Sequence, residues 1–433
     1  MVLPEPAPTS GVWTRMETID TALLTAGAAV LVLGIAGGWI RDRFWLSEPL
    51  FCLLLGALLG PSVTGIVPAE MLPGRVLVEA LAHITLGIVV MEAALQLPFG
   101  YLHRNLGAMA VVLLIAMPLS WLTAAALASP LLGMGLLPAL ILGAVLAPTD
   151  PVLAASVVRG KQAEDILPKR TRTFLTAESG ANDGLGQVML MLPLLLLSVA
   201  PSQALGEWVV GVVLWDTVAA VLIGLVVGDI AGWLMVWAMR RDNVEPASTT
   251  TIALALTVTV LAAVELAGSG SILAVFAAGL AFKRYASSEQ TLHAHVQESI
   301  SRFFTLPFFL VLGAELPWGD WWQLGWPALV FAVAVAVLRR LPWFWLLCRF
   351  MAPVQARREA LFLGFFGPIG SAAIYYALRA EDQSALELWP IASLTVAVSA
   401  VIHGVSTTPA MWWFARQAPR DDVETSAKAL SDT

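Results

Sequence analysis

The apolar residues of this chain come in blocks separated by clusters of proline, glycine and charge, and the blocks carry no amphipathic rhythm. As helices, blocks of about 20 residues match the apolar thickness of a bilayer. A soluble core has no room for them, since 58% of the 433 residues are hydrophobic and 13% are charged, against about 25% charged in an ordinary soluble domain. In lipid the apolar faces point outward as well as inward. The chain therefore reads as an all-α polytopic membrane protein.

Read this way, the sequence gives thirteen spans, at 20–40, 49–67, 77–97, 105–127, 132–158, 171–199, 208–238, 249–267, 269–286, 301–316, 326–349, 358–379 and 387–415. Residues 1–19 and 416–433 are left as tails. The opening MVLPEPAPTS lacks a basic stretch leading into an apolar one, so no cleaved signal peptide is expected. Cys52 and Cys348 show neither metal-ligand spacing nor a disulfide framework. The net charge of −7 owes much to the tail acids Asp421, Asp422, Glu424 and Asp432, and nothing resembles a nucleic-acid footprint.

The basic residues orient the spans. Nineteen of the 24 Lys and Arg fall in one set of loops, only Arg15, Arg75 and Arg379 in the other, and Arg339 and Arg340 inside a span. By the positive-inside rule the N-terminus lies outside and the C-terminus in the cytoplasm. Miscounting one span would scramble this asymmetry.

Three stretches break the apolar rule, and ionisable groups at membrane depth point to function. The first is Ala147-Pro148-Thr149-Asp150-Pro151. Each proline lacks an N–H and disturbs the carbonyl four residues earlier, here those of Ala144 and Ala147. The result is an unwound stretch, tolerable only against protein or a cavity. The second is Glu178-Ser179-Gly180-Ala181-Asn182-Asp183-Gly184, where helical spacing stacks Glu178 over Asn182, and Ser179 over Asn182 and Asp183. The third is Gly364-Phe365-Phe366-Gly367-Pro368-Ile369-Gly370-Ser371. There Pro368 frees the Gly364 carbonyl, and Gly367 and Gly370 let another backbone approach.

The first and third stretches lie seven spans apart and run in opposite directions, as the broken helices of an inverted-repeat transporter do. Half-helix N-termini carry about +0.5 charge and C-termini about −0.5. Asp150 is placed to offset the positive ends. Arg339 or Arg340 offsets the negative ends or pairs with Glu178. With Glu178 so locked, Asp183 is the carboxylate left to change partners. Burial disfavours a charged carboxylate, while oxygen neighbours and a bound cation favour it. Proton and cation then compete for one group.

At these residues the sequence resembles the monovalent cation/proton antiporters, and among them the sodium/proton antiporters of fungal plasma membranes and their bacterial relatives. The matching stretches are LPFGYLHRN (97–105), APTDP (147–151), LPKRTRTFLTAESGANDG (167–184), LRRLP (338–342), RREALFLGFFGPIGSAAIYYAL (357–378) and VIHGVSTTP (401–409). The resemblance implies an inverted-repeat antiporter fold with two crossing broken helices. It implies a homodimer whose core helices, 105–199 and 326–415, move against a dimerisation scaffold, 20–104 and 208–316. It implies that Asp183 binds cation and proton in turn, supported by Asn182, with Thr149 and Ser179 giving oxygens to the cation. Asp150 and a Glu178–arginine pair would support the core, and an Asn-Asp pair goes with electroneutral exchange.

Two departures stand out. Many relatives carry an arginine in the glycine motif that here reads GPIGS, so the partner of Glu178 must come from span 11. The fungal pattern has a glutamate where Gln96 stands and no acid at Glu92. The expected function is exchange of Na⁺ or Li⁺ for H⁺ by alternating access in a bacterial inner membrane, serving pH and sodium homeostasis. K⁺ is the alternative cation, and no cofactor is expected beyond the transported ions. An enzyme is not expected, because neither Asn182-Asp183-Gly184 nor Val227-Gly228-Asp229 supplies the Gly-x-Gly-Asp type motif of an intramembrane aspartyl protease. The reading from a different class is a cation channel or sensor.

Overall fold

The computed structural model describes residues 47–72, 74–154, 161–241, 248–285, 290–354 and 356–416, with 27–28 and 31–32 before them. Among the described residues there is no strand. The longer helices are α1 (Glu48–Leu59), α2 (Gly74–Gln96), α3 (Leu106–Leu132) and α4 (Leu136–Val145). They continue with α5 (Lys169–Ser198), α6 (Pro201–Met239), α7 (Ser248–Leu266), α8 (Ser271–Phe282) and α9 (Gln290–Ala314). The last five are α10 (Trp318–Leu338), α11 (Leu341–Leu347), α12 (Arg357–Phe365), α13 (Ser371–Gln383) and α14 (Trp389–Arg416).

Every span expected from 49–67 onward holds a helix; the first, 20–40, lies outside the described residues except at 27–28 and 31–32. Six helical stretches among the described residues are long and apolar enough to cross a membrane by length and composition. The short helices mark interruptions. α4 stops at Val145, three residues before Pro148, and α12 and α13 are parted by Phe366–Gly370. Span 11 is also interrupted, since α10 ends at Leu338 and Pro342 starts α11 afresh in its first turn. That leaves Arg339 and Arg340 in the break. By contrast α5 runs unbroken through Glu178 to Gly184, so the polar cluster there sits on a helix and not in a loop.

α2 touches α5, α7, α8, α9 and α13, which makes it the central post of the fold. α6 is peripheral, and its two sides differ sharply. Leu222, Val226, Ile230 and Trp237 are exposed and suit lipid. Gly224 and Gly228 lie against α8, where an added Cβ would stand 2.1 Å from the Ala274 carbonyl oxygen and 2.2 Å from that of Ala278. α1 and α9 meet the same way, with Gly56 on the Leu310 carbonyl and Gly313 on that of Leu53. Lipid gives no hydrophobic drive to helix pairing, so close backbone approach and the dispersion it gains hold such pairs together.

Adding bulk at one of these contacts should separate the helices, at an overpacking cost of about 1–3 kcal/mol. Gly228→Val is therefore expected to lower the melting temperature in detergent. Gly211→Val, on the same helix with nothing within 4 Å of its Cβ position, should leave it unchanged.

Candidate functional site

The first break begins where α4 runs out of donors. Leu146 N–H still reaches the Leu142 carbonyl at 3.1 Å, but Ala147 N–H turns tightly to that of Ala144 at 3.2 Å. Pro148 has no N–H. Thr149 N–H donates sideways to Asn182 Oδ1 at 3.2 Å, and Asp150 N–H donates to the Pro368 carbonyl at 2.8 Å. The Ala144 carbonyl, which the proline rule leaves free, is thus taken up by the tightened turn. The carbonyl presented for an outside partner is instead that of Pro148.

The second break is closed by side chains. Gly367 N–H folds back to the Phe365 carbonyl at 2.9 Å, Pro368 has no N–H, and Ile369 N–H donates to Ser399 Oγ at 2.8 Å. The two breaks cross in contact. A Cβ on Gly370 would stand 2.0 Å from Asp150 Oδ2, and one on Gly367 would stand 2.2 Å from Arg340 Nη1. Only glycine fits at either position.

The crossing brings like helix ends together, and one residue of opposite charge serves each pair. Asp150 Oδ1 accepts from the N–H groups of Val152 and Leu153 at 2.8 and 3.1 Å. Its Oδ2 accepts from Ser371 N–H at 2.7 Å and from the Ser371 hydroxyl at 2.9 Å. Asp150 therefore caps the turn that resumes after the first break and also the start of α13. Arg339 Nη2 donates to the Pro148 carbonyl at 3.2 Å and to the Gly367 carbonyl at 2.8 Å. Both residues are buried.

Arg340 points elsewhere. Its Nη2 lies 3.1 Å from Glu178 Oε2, and its guanidinium sits over the Phe344 ring at 4.5 Å. Asn182 ties this pair to the first break, donating through Nδ2 to Glu178 Oε1 at 2.7 Å and to Thr149 Oγ1 at 2.6 Å. The Thr149 and Ser179 hydroxyls are 3.2 Å apart. Of the two arginines left open by the sequence, Arg340 meets Glu178 and Arg339 meets the helix ends.

The carboxylate of Asp183 stands outside this network. It is 0% exposed, and neither carboxylate oxygen has a hydrogen-bond partner among the described residues. Its peptide carbonyl accepts from the Tyr376 hydroxyl at 2.5 Å. The helix that carries it is pressed against α8. A Cβ on Gly180 would stand 2.8 Å from the Phe276 ring, and one on Gly184 would stand 2.9 Å from the Leu273 nitrogen. The charge balance is simple. Asp150 faces N–H groups of the turn after the first break and of the start of α13, Arg339 faces a carbonyl of each break, and Glu178 faces Arg340. One negative charge remains, on Asp183.

Four residues of the site were not singled out as site residues from the sequence. Ser371 and Ser399 bond the breaks, and Tyr376 holds Asp183 through the backbone. Buried His403 sets Nε2 2.8 Å from the Phe365 carbonyl and Nδ1 2.8 Å from that of Ser399. His403 carried a signal, as an ionisable side chain within a span. Ser371 carried one too, as the polar residue that starts a helix after a glycine. Other intramembrane acids lie apart from this network. Glu92 accepts from Gln96 at 2.8 Å, Asp216 from Gln187 at 3.3 Å, and Asp229 pairs with Arg284 at 3.3 Å.

Known proteins share this arrangement of sequence and fold. A family described as "Sodium/hydrogen exchanger, transmembrane" matches residues 22–413. The chain is 27% identical to a Na⁺/H⁺ antiporter of Schizosaccharomyces pombe over 427 residues, covering 92% of this chain and 91% of that protein. It is 30% identical to a probable Na⁺/H⁺ antiporter of the same yeast, but spans 56% of that longer protein. The fold is similar to the solved structure of a sodium proton antiporter from Methanocaldococcus jannaschii, with a TM-score of 0.71 at 19% identity over 93% of this chain and 99% of the other.

Removing one partner of a buried ion pair strands the other, at a cost of about 3–5 kcal/mol. Arg340→Met is therefore expected to lower the melting temperature in detergent sharply. The double variant Glu178→Gln/Arg340→Met should regain most of that loss, because no charge is then left unpaired.

Proposed function

The chain belongs to the sodium/hydrogen exchanger family, and on that basis we propose that it exchanges Na⁺ or Li⁺ for H⁺ across the membrane, with Asp183 as the carrier of both. One observation carries the assignment to Asp183. It is a fully buried carboxylate with both oxygens unpartnered, next to a network in which the other charges are matched.

An unmatched charge at membrane depth is costly. Asp183 is therefore relieved by whichever cation reaches it, a proton or a small metal ion. Thr149 and Ser179, whose hydroxyls already meet, are the oxygen donors assigned to the metal ion, with Asn182 and Asp150 supporting them. Hard oxygen donors of this kind suit Na⁺ and Li⁺. Because a single carboxylate is left over, one cation is traded for one proton and the exchange is electroneutral.

Alternating access then needs only that the site move when Asp183 is neutral. The moving core is assigned to α3–α5 and α10–α14, which carry both breaks, Arg339 and Asp183. The scaffold is assigned to α1, α2 and α6–α9, through which a second copy of the chain pairs. The excess of Lys and Arg in alternate loops supports an outer N-terminus and a cytoplasmic C-terminus. The proposed setting is a bacterial inner membrane, and the proposed role is pH and sodium homeostasis.

Proteoliposomes loaded with a pH-sensitive dye test this reading across a pH series with Na⁺, Li⁺ and K⁺. Saturable proton movement driven by Na⁺ or Li⁺ is expected, with no ohmic current. Asp183→Asn should abolish it while leaving the melting temperature intact, and near-normal exchange in that variant would remove Asp183 from the mechanism. Asp150→Asn should retain some exchange but melt lower, because it loses the shared cap. Exchange driven only by K⁺ would identify a potassium antiporter instead.

A further inference from the structure

A second polar cluster lies far from the crossing and joins other parts of the fold. Arg379, near the end of α13, places Nη1 2.9 Å from Glu265 Oε1, near the end of α7. The other oxygen of Glu265 accepts from the Ser271 hydroxyl of α8 at 2.9 Å. His83 of α2 sets Nε2 3.0 Å from that hydroxyl and 3.8 Å from Glu265 Oε2. The His83 ring stacks flat on Tyr375 of α13, with centroids 4.7 Å apart. Glu79 of α2, Asp382 of α13 and Asp216 of α6 add to the charged surroundings.

We propose that the Glu265–Arg379 pair, backed by the His83–Tyr375 stack, is the outer latch of the exchanger, closed when Asp183 is shut off from the outside and parted when it faces out. This inference rests on the alternating-access reading above. Three features carry it. First, the cluster divides along the boundary between the two bodies: α2, α7 and α8 belong to the scaffold, α13 to the core. Second, α13 is coupled to the site. Tyr376, beside Tyr375 and one turn before Arg379, donates to the Asp183 carbonyl at 2.5 Å. Movement of α5 and α13 as one body must break the latch. Third, the pair has the strength that a reversible contact needs. Its side chains are 33% and 31% exposed, whereas those of Arg340 and Glu178 are each 4% exposed. A half-exposed pair is weak and can part on each cycle, while a buried one cannot without stranding charge.

Leu273 lies between latch and site. It follows Ser271 by two residues and packs on Gly184, next to Asp183. A cysteine there reports whether the outer path is open. With Cys52→Ala and Cys348→Ser as background, Leu273→Cys is labelled by a membrane-impermeant maleimide added to the outer face. Glu265→Gln and Arg379→Gln should each raise the labelling rate roughly two- to five-fold, the range a half-exposed pair supports. The double variant should go no higher than either single one. In a second arm, Glu265→Cys/Arg379→Cys is bridged by a short bifunctional methanethiosulfonate. Exchange should stop on bridging and return on reduction. Unchanged labelling in both single variants, gains that multiply in the double one, or normal exchange by the bridged protein would each overturn the latch. Labelling needs no transport, so the latch is judged even where Asp183→Asn keeps exchanging and the carrier assignment fails.

Discussion

Two chain breaks at membrane depth expose backbone groups that lipid cannot satisfy, and the rest of the site depends on how those groups are matched. Asp150 accepts from N–H groups that follow both breaks, and Arg339 donates to the carbonyls of both breaks. Each serves both breaks at once, which is possible only because the breaks touch. The contact in turn requires glycine at 367 and 370, where a single methyl group would collide with Arg340 and Asp150. Ser399 and His403 of α14 take up the amide of Ile369 and the carbonyl of Phe365, so a third helix is drawn into the same compensation.

With those ends satisfied and Glu178 held by Arg340, Asp183 is left in excess. Pairing the charges around one carboxylate is a way to make that group responsive: Asp150 and Glu178 are engaged by other groups, and a mobile ion can change the charge of Asp183. The same logic separates the ion pairs by strength. Arg340–Glu178, whose side chains are each 4% exposed, lies within the body proposed to move. Glu265–Arg379 lies across its edge, with side chains 31% and 33% exposed. Firm pairs inside a moving body and weak pairs at its border are what rigid-body alternation requires.

Glycine does two further jobs here. On α6 and α1 it fixes helix pairs at backbone contact, consistent with a stable frame. On α5, Gly180 and Gly184 let the helix that carries Asp183 rest closely on Phe276 and Leu273 of α8. A smooth contact of this kind suits sliding better than interlocked side chains would, since packed cores shift between discrete arrangements and do not deform continuously.

Much of this was legible in the sequence, for covalent and solvation reasons. Span lengths follow from bilayer thickness, and the two breaks from prolines that lack an N–H. The stripe from Glu178 to Asp183 follows from helical spacing. None of these needs knowledge of a distant contact. What only the tertiary structure decided lies in pairings across long sequence separations. Adjacent Arg339 and Arg340 look interchangeable in the chain, but the break between α10 and α11 sends one to the helix ends and the other to Glu178. Glu265 gains its partner from Arg379, and Tyr376 reaches Asp183, because α13 packs against both α2 and α5. Gly224 and Gly228 of α6 are spent on α8 within the same chain. Local pattern fixes which groups need partners; only the packing of the helices determines which partner each one meets.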